Sequence, residues 1–244
     1  MQLLSEKVKF YAKNPSLVGW MKKGFNEEFY QQLTLPYFTQ YNFKTIMDIG
    51  ANEGQSAYTF RLAFPNADIH AFEPLPECFV KLKTNLAQEQ NVFLHNVAMG
   101  DKTGELVFEQ NEYAVSSSAL PMSEKHIDNF PQTKNRKQIT VPVETLGHLF
   151  ADRDDLGNML IKIDVQGYEK HVVAGGHQTL AKTQMLIVET SFETLYEGQP
   201  LFGEIYEAVR ALGFSYAGSI EQLFSPQTGK VLQQDALFVR SPAQ

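Results

Sequence analysis

The stretch "TIMDIGANEGQSAYTF", Thr45 to Phe60, decides how the chain is read. It opens as a short apolar run, bends through two glycines and continues as an amphipathic segment, the pattern of a buried strand, a turn and a helix. Asp48 ends the strand and "DIGANEG" makes the turn, in which Gly50 allows close backbone approach and Gly54 eases the start of the helix. The spacing is G-x-x-x-G, without the middle glycine of the G-x-G-x-x-G dinucleotide fingerprint. No G-x-x-x-x-G-K-[ST] phosphate loop occurs either. Asp48 and Glu53 in the loop repel a phosphate and suit a ligand bearing a positive amino group.

The strand–helix alternation continues outward from this loop. "ADIHAFEP" reads as a second strand stopped by Pro74, with Glu73 at its end placed to accept both hydroxyls of a ribose. A ribose partner without a pyrophosphate cradle points to a nucleoside carrying an amino acid, S-adenosylmethionine. "PECFVKLKTNLAQEQ" predicts a helix and "VFLHNVAM" a third strand. "GELVFE" and "QITVPVETL" alternate apolar and polar residues as an antiparallel or edge pair does, and a polar segment from Gln110 to Lys137 lies between them. The alternation resumes with "NMLIKIDV", "GYEKHVVAGG", "QMLIVET", "LFGEIYEAVRALGF" and "DALFVR". Strands separated by helices pair in parallel through right-handed crossovers, so an α/β, doubly wound sheet is expected over residues 44–244. Residues 1–43 are expected to form an N-terminal helical extension, with Trp20, Phe25, Phe29, Tyr30, Leu33, Leu35, Tyr37 and Phe38 as its packing residues.

Composition bounds the partners. The 244 residues are 43% hydrophobic and 20% charged, ordinary for a globular chain, and a net charge of −7 argues against unaided nucleic-acid binding. The single cysteine, Cys78, has no internal disulfide partner and fits a reducing compartment. No apolar run approaches the roughly 20 residues that span a bilayer. Charges at Glu6, Lys7 and Lys9 interrupt the start where a signal peptide keeps its apolar stretch, so a cytoplasmic location is expected.

At this point the chain resembles the FkbM-type S-adenosylmethionine-dependent methyltransferases. The resemblance runs from about Phe43 to the C-terminus and rests on "DIGANEGQSA", "AFEPLPECF", "NVAMGDKTGELVF", "AVSSSAL", "IKIDVQGYEKHVVAGG" and "IVETSFETLYEGQPLFGEIYEAVRALGF". The first two blocks are shared widely among class I methyltransferases, whereas "KIDVQGYE" and the later Y-E-G-Q-P run are particular to this family. The resemblance implies a seven-stranded class I methyltransferase (Rossmann-like) sheet and O-methylation of a hydroxyl on a sugar, glycan or small natural product. It implies that Asp48, Gly50, Asn52 and Gly54 surround the methionine part of the cofactor, that Glu73 holds the ribose, and that Val97 and Ala98 lie near the adenine. The serine run Ser116–Ser118, with Ser117 at its centre, would lie near the cofactor too, against the alternative that it marks a flexible loop.

Methyl transfer to oxygen is an in-line displacement that releases a neutral thioether, so the protein must position the partners and take up one proton. Asp164 and Glu189 end two neighbouring strands and are the candidate catalytic pair, either as general base or as holders of a divalent cation, for which no further ligands are evident and no metal is predicted. Asp164 could instead cap the helix that follows it. His126, in the long polar segment, is the histidine best placed to act as a base; His95, His171 and His177 are read as structural or exposed. Lys162 either touches the acceptor or is paired, and Tyr196 either lines the acceptor pocket or belongs to the core. The aromatic extension either covers the site or forms a homodimer face. Two other readings compete. A nicotinamide-dependent oxidoreductase lacks support from the glycine loop and from any Tyr-x-x-x-Lys pair in "YEKHVV", "YAKNPS" or "YEAVRA". A non-catalytic cofactor-binding or scaffold protein of the same fold does not explain why both rim carboxylates are present.

Overall fold

The computed structural model describes residues 17–21, 24–111 and 117–240. Three short helices come first, α1 (Leu17–Met21), α2 (Glu27–Leu33) and α3 (Pro36–Thr39). β1 (Thr45–Ile49), α4 (Gln55–Ala63), β2 (Asp68–Phe72), α5 (Pro76–Asn85) and β3 (Val92–His95) follow in alternation. β4 (Ala98–Met99), β5 (Gly104–Asn111), α6 (Glu124–Asn129) and β6 (Arg136–Glu144) interrupt it. The alternation returns with α7 (Leu146–Phe150), β7 (Met159–Ile163), α8 (Glu169–Gly175), α9 (His177–Ala181), β8 (Met185–Ser191) and α10 (Phe202–Ala211), and closes on β9 (Phe214–Phe224) and β10 (Val231–Arg240). The main sheet has seven strands in the order β3-β2-β1-β7-β8-β10-β9, parallel except that β10 runs antiparallel to both its neighbours. The order reverses beside β1, between the β1–β2 and β1–β7 pairings, and in such sheets a ligand crevice opens at that switch. This is the α/β, doubly wound class I methyltransferase fold.

β1 and β7 are buried at every position, which is why they read as continuous apolar runs rather than alternating ones. Two segments differ from the sequence reading. "VFLHNVAM" is not one strand: β3 stops at His95, and β4 joins β6 and β5 in a separate three-stranded sheet. Asn96 makes the break, since its side-chain amide donates to the carbonyls of Glu73 at 2.8 Å and Pro74 at 3.1 Å and holds the chain at the end of β2. β9 was not anticipated at all. It is a largely exposed edge strand of mixed polarity, and its pairing with β10 is broken by register shifts, so no period-2 apolar pattern marks it. The expected antiparallel pair does form, as β5 against β6. The polar segment between them holds α6 and a short 3₁₀ turn, Pro131–Lys134.

The helices pack on both faces of the sheet. On one face Trp20, Phe25, Phe29, Leu33 and Phe38 of the N-terminal extension join Tyr58, Phe60 and Ile69 in a single apolar cluster. Trp20 stacks on Tyr58 with ring centroids 3.9 Å apart, and Phe29 meets Phe60 edge-on. Tyr30 is half-buried, and Leu35 and Tyr37 remain exposed. The extension is therefore a layer of the core, where burial of each large apolar side chain contributes about 1.5–3 kcal/mol. Met47, Ile161, Val172 and Val209 fill the other face. Among the described residues no helix is long and apolar enough to cross a membrane.

Two close-packed features generate predictions. A Cβ on Gly50, whose φ is 91°, would stand 1.8 Å from the backbone carbonyl oxygen of Asp164. Gly50→Ala is expected to lose about 3 kcal/mol or more, read as a lowered urea midpoint at unchanged slope. His126 is buried against Phe130 and Tyr196, and neither ring nitrogen has a hydrogen-bond partner. Burial, helped by Arg136, pushes its pKa from 6.5 down to about 4. The unfolded chain thus binds more protons in that window, and stability is lost as pH falls from 6.5 towards 4. His126→Leu should be roughly 1 kcal/mol more stable at neutral pH, with its advantage over the parent growing on acidification. Denaturant titrations across the pH range check this, and a constant difference would refute it.

Candidate active site

The crevice at the switch point consists of two chambers that share a wall. The glycine turn sets the first. Gly50 and Ala51 donate to the carbonyl of Phe72, which lays the end of β1 against the end of β2. Asn52 takes a left-handed φ of 49° and turns its N–H onto Glu73 Oε2 at 2.9 Å, while Leu75 N–H donates to Glu73 Oε1 at 2.8 Å. Burial pushes the Glu73 carboxyl up to about 7, with these two N–H groups working against the rise and the charges of Asp48 and Asp164 adding to it. Around this carboxylate Phe72, Leu75, Val97, Met99, Leu106 and Phe108 form an apolar slot.

Six of the eight residues expected to hold the cofactor line this chamber: Gly50, Asn52, Glu73, Val97, Ala98 and Ser117. Ser117 is tied down, its Oγ accepting the N–H of Asn111 at 2.9 Å, while Ser116 lies outside the described residues. The other two sit behind the wall. Gly54, with φ of 99°, begins α4 where a Cβ would meet Leu82 and Leu86 of α5 at 2.9 and 3.2 Å, so its smallness serves helix packing. Asp48 is fully buried, and neither of its oxygens has a hydrogen bond of normal geometry. Burial raises its pKa to about 6 against the opposing influence of Lys162 and the Ala57 N–H.

The second chamber opens on the other side of Gly50, Asn52 and Asp164, towards the N-terminal helices and the β9–β10 hairpin. Its floor carries Lys162, Asp164, Glu189 and Asp235. Lys162 rises from the buried strand β7 and donates to Asp164 Oδ2 at 2.7 Å. Burial disfavours its charge, but Asp164, Asp235 and Asp48 outweigh that and hold the ammonium above its usual range. Glu189 lies opposite Asp235 in the β8–β10 register. Burial first, then the charges of Asp164, Glu169 and Asp235, raise the Glu189 carboxyl well above the ordinary carboxylate range, and Asp235 rises to about 6 for the same first reason.

The strand-end loop "DVQGYE" organises these acids. Gln166 adopts a left-handed φ of 55°, which costs a non-glycine residue about 1–2 kcal/mol. Its carboxamide Nε2 donates to Asp164 Oδ1 and to Glu189 Oε2, each at 2.9 Å, and its Oε1 accepts the Tyr196 hydroxyl at 2.9 Å. Glu169 Oε1 accepts the N–H groups of Val165 and Gly167 at 3.1 and 3.0 Å, and Ser118 Oγ donates to the Gln166 carbonyl at 2.6 Å. Asp164 is thus bonded through both oxygens to side chains, so the alternative in which it caps the following helix is not what is seen, and the loop N–H groups before that helix go to Glu169.

Asp164 lines both chambers and Glu189 the second alone. Lys162, left open between two roles, is paired and stands on the chamber wall; Tyr196 is core and reaches the site through Gln166. His126 lines neither chamber, so it does not hang over the crevice as the sequence suggested. His95 pairs with His70 at 3.1 Å, and His171 with Asp101 at 3.2 Å. Sequence reading missed Gln166, Glu169 and Asp235. The Gln-Gly step after a buried strand was the available signal for the first; Asp235, inside the last strand, carried none. Among the described residues no group of three or more His, Cys, Asp or Glu is arranged to hold a metal ion.

Comparison with known proteins agrees with this geometry. Residues 48–216 match the family described as Methyltransferase FkbM domain. The 2-O-methyltransferase NoeI of Sinorhizobium fredii (strain NBRC 101917 / NGR234) is 31% identical over 161 residues, which are 63% of this chain and 66% of that protein, just under two thirds of its length. The 31-O-demethyl-FK506 methyltransferase FkbM of Streptomyces tacrolimicus is 24% identical over 204 residues, 74% of this chain and 76% of its own. The solved structure of methyltransferase FkbM from Methylobacillus flagellatus KT superposes with a TM-score of 0.52 at 12% identity, over 84% of this chain and 47% of that one, and shares the fold. With its glycine turn, its strand-end acids and more than half its length matching, the chain belongs to the FkbM methyltransferase family.

Proposed function

We propose that the protein transfers a methyl group from S-adenosylmethionine to a hydroxyl of a sugar, glycan or small natural product. The observation that carries this reading is the common wall: Gly50, Asn52 and Asp164 border both chambers, so ligands in the two would meet there. The first chamber suits the cofactor. Its apolar slot fits a flat adenine, and each Glu73 oxygen, having accepted one backbone N–H, keeps a lone pair for a ribose hydroxyl. Asn52 Oδ1 is buried without a partner and is an acceptor for the ligand's ammonium group. When bound, the cofactor supplies a methyl group on a sulfonium, whose departure leaves a neutral thioether.

The second chamber receives the acceptor. The attacking hydroxyl oxygen forms the new C–O bond as the C–S bond breaks with its electron pair left on sulfur, and the hydroxyl proton goes to Glu189. A carboxylate with an elevated pKa is the stronger base, which favours Glu189 for this role. Asp164, bonded to Lys162 and Gln166, orients the acceptor at the shared wall. Positioning of this kind can lower the barrier by about 7–11 kcal/mol. The relative named 2-O-methyltransferase and the one named for a 31-O-demethyl substrate support oxygen as the methylated atom, and nothing in the comparisons favours the nicotinamide-dependent alternative. The acidic balance supports a small-molecule or glycan acceptor over nucleic acid, and the single buried thiol of Cys78 accords with a cytoplasmic setting.

Two outcomes follow. Glu189→Gln and Asp164→Ala should each lower turnover by about 10²–10⁴-fold while leaving S-adenosylhomocysteine binding intact. The assay is mass spectrometry of host-cell extract incubated with the protein and isotopically labelled methyl donor, and parental turnover in either variant removes that residue from the mechanism. Glu73→Ala should weaken S-adenosylhomocysteine binding by about 1.5–3 kcal/mol, roughly 10- to 150-fold by calorimetry. Unchanged affinity would dissociate Glu73 from the ribose.

A further inference from the structure

The Gln166 carboxamide is bonded at every position that matters, and each of its partners is charged or fixed. Its two N–H groups are divided between Asp164 Oδ1 and Glu189 Oε2, and its oxygen accepts the hydroxyl of Tyr196, a fully buried side chain. An amide can be turned over about its last torsion with little change in shape. Turned over here, its oxygen would face two carboxylates and its NH₂ group would face a phenol that now donates to it. The two acids, which when ionised only accept, therefore select the orientation, and in it the Tyr196 hydroxyl serves as the donor to Oε1. The backbone is held as firmly, by Glu169 on the N–H groups of Val165 and Gly167 and by Ser118 on the carbonyl of Gln166 itself.

We infer that Gln166, braced by Tyr196, is the positioning residue that locks Glu189 through Oε2 and so presents Oε1 to the acceptor hydroxyl. The inference rests on the methyl-transfer reading above for what Oε1 then does. Among the described residues none donates a hydrogen bond to Glu189 Oε1, and the residue stands on the wall of the second chamber. An unclamped carboxylate would spread its lone pairs over many rotamers, most of them useless to a hydroxyl held at the common wall. The donated hydrogen bond also favours the ionised form of Glu189, opposing burial and the charges that surround it: Asp164 and Glu169 beside it, Asp235 across the β8–β10 pair, and Lys162 acting in the other sense. Gln166 thus fixes direction and restrains basicity at one atom. The Q-G step and the tyrosine of "TLYEGQP", thirty residues apart, form one device.

The test uses the full chain labelled with carboxyl-¹³C glutamate and saturated with S-adenosylhomocysteine, with Glu189→Gln identifying the Glu189 resonance. Gln166→Leu keeps the volume and removes the amide. Its Glu189 titration midpoint should rise by about one pH unit, a tenfold change in acidity, while the Glu73 midpoint stays in place. Tyr196→Phe keeps the ring and removes only the hydroxyl, and it should move the Glu189 midpoint in the same direction by a smaller amount. In the labelled-methyl assay both variants should lower kcat more than they raise KM. An unmoved Glu189 midpoint in both variants overturns the inference, and so does an equal movement of Glu73, which would mark general loosening. A moved midpoint in a protein that transfers no methyl group would leave the clamp standing and refute the reaction instead. Should Gln166→Leu fail to fold, Tyr196→Phe decides alone.

Discussion

The ends of β1 and β7 approach more closely than any side chain permits, and the site depends on that approach. The backbone of Gly50 occupies the space against the Asp164 carbonyl, and Asp164 N–H donates to the carbonyl of Ile49 at 2.9 Å. Both strands leave the sheet at this contact in different directions. β1 bends into the turn that points Asn52 at Glu73, and β7 bends into the loop that carries Asp164 and Gln166. One short contact therefore fixes the wall between two chambers. A wider gap would leave the apolar slot and the acidic cleft as unrelated cavities.

That contact lies in an electrostatic setting that is costly on its own. Asp48, Lys162 and Asp235 are buried beneath or beside the wall, and Asp48 has no hydrogen bond of normal geometry. Buried charges of this kind rarely improve stability over apolar residues of the same shape, because desolvation cancels most of their attraction. Their persistence in the centre of an otherwise apolar sheet is intelligible as a functional exception, the kind of local rule-breaking that collects at sites. Lys162 is the balancing charge: it is paired with Asp164, and without it Asp235 would lose the cation that lowers its cost of ionising. The apolar layers on either face, including the extension that stacks Trp20 on Tyr58, supply the stability that offsets this centre.

Glu169 illustrates how a residue can be decisive without touching either chamber. Its carboxylate satisfies two backbone N–H groups of a loop whose left-handed Gln166 would otherwise be strained. Its own pKa is raised to about 7, first by burial and then by Asp164, with those N–H groups opposing. The acid after the Gln-Gly step is thus a loop fastener, and the side chains it fastens are the ones at the wall.

Local pattern determined most of the architecture. The runs "TIMDI" and "MLIKI" read as interior parallel strands and are buried throughout. Gly50, Glu73 and Asp164 follow the ends of β1, β2 and β7, where ligands bind in such sheets, whereas Glu189 lies two residues inside β8. Tertiary structure decided what no short window encodes. It split β3 from β4 at Asn96 through a long-range amide contact, placed the polar edge strand β9 beside β10, and moved Asp48 and Gly54 behind the wall. It also joined Gln166 to Tyr196 and set Asp235 opposite Glu189. The physical reason is the same throughout. Periodicity reports which face of an element is buried, whereas hydrogen bonds between side chains tens of residues apart depend on crossover geometry that only the folded chain supplies.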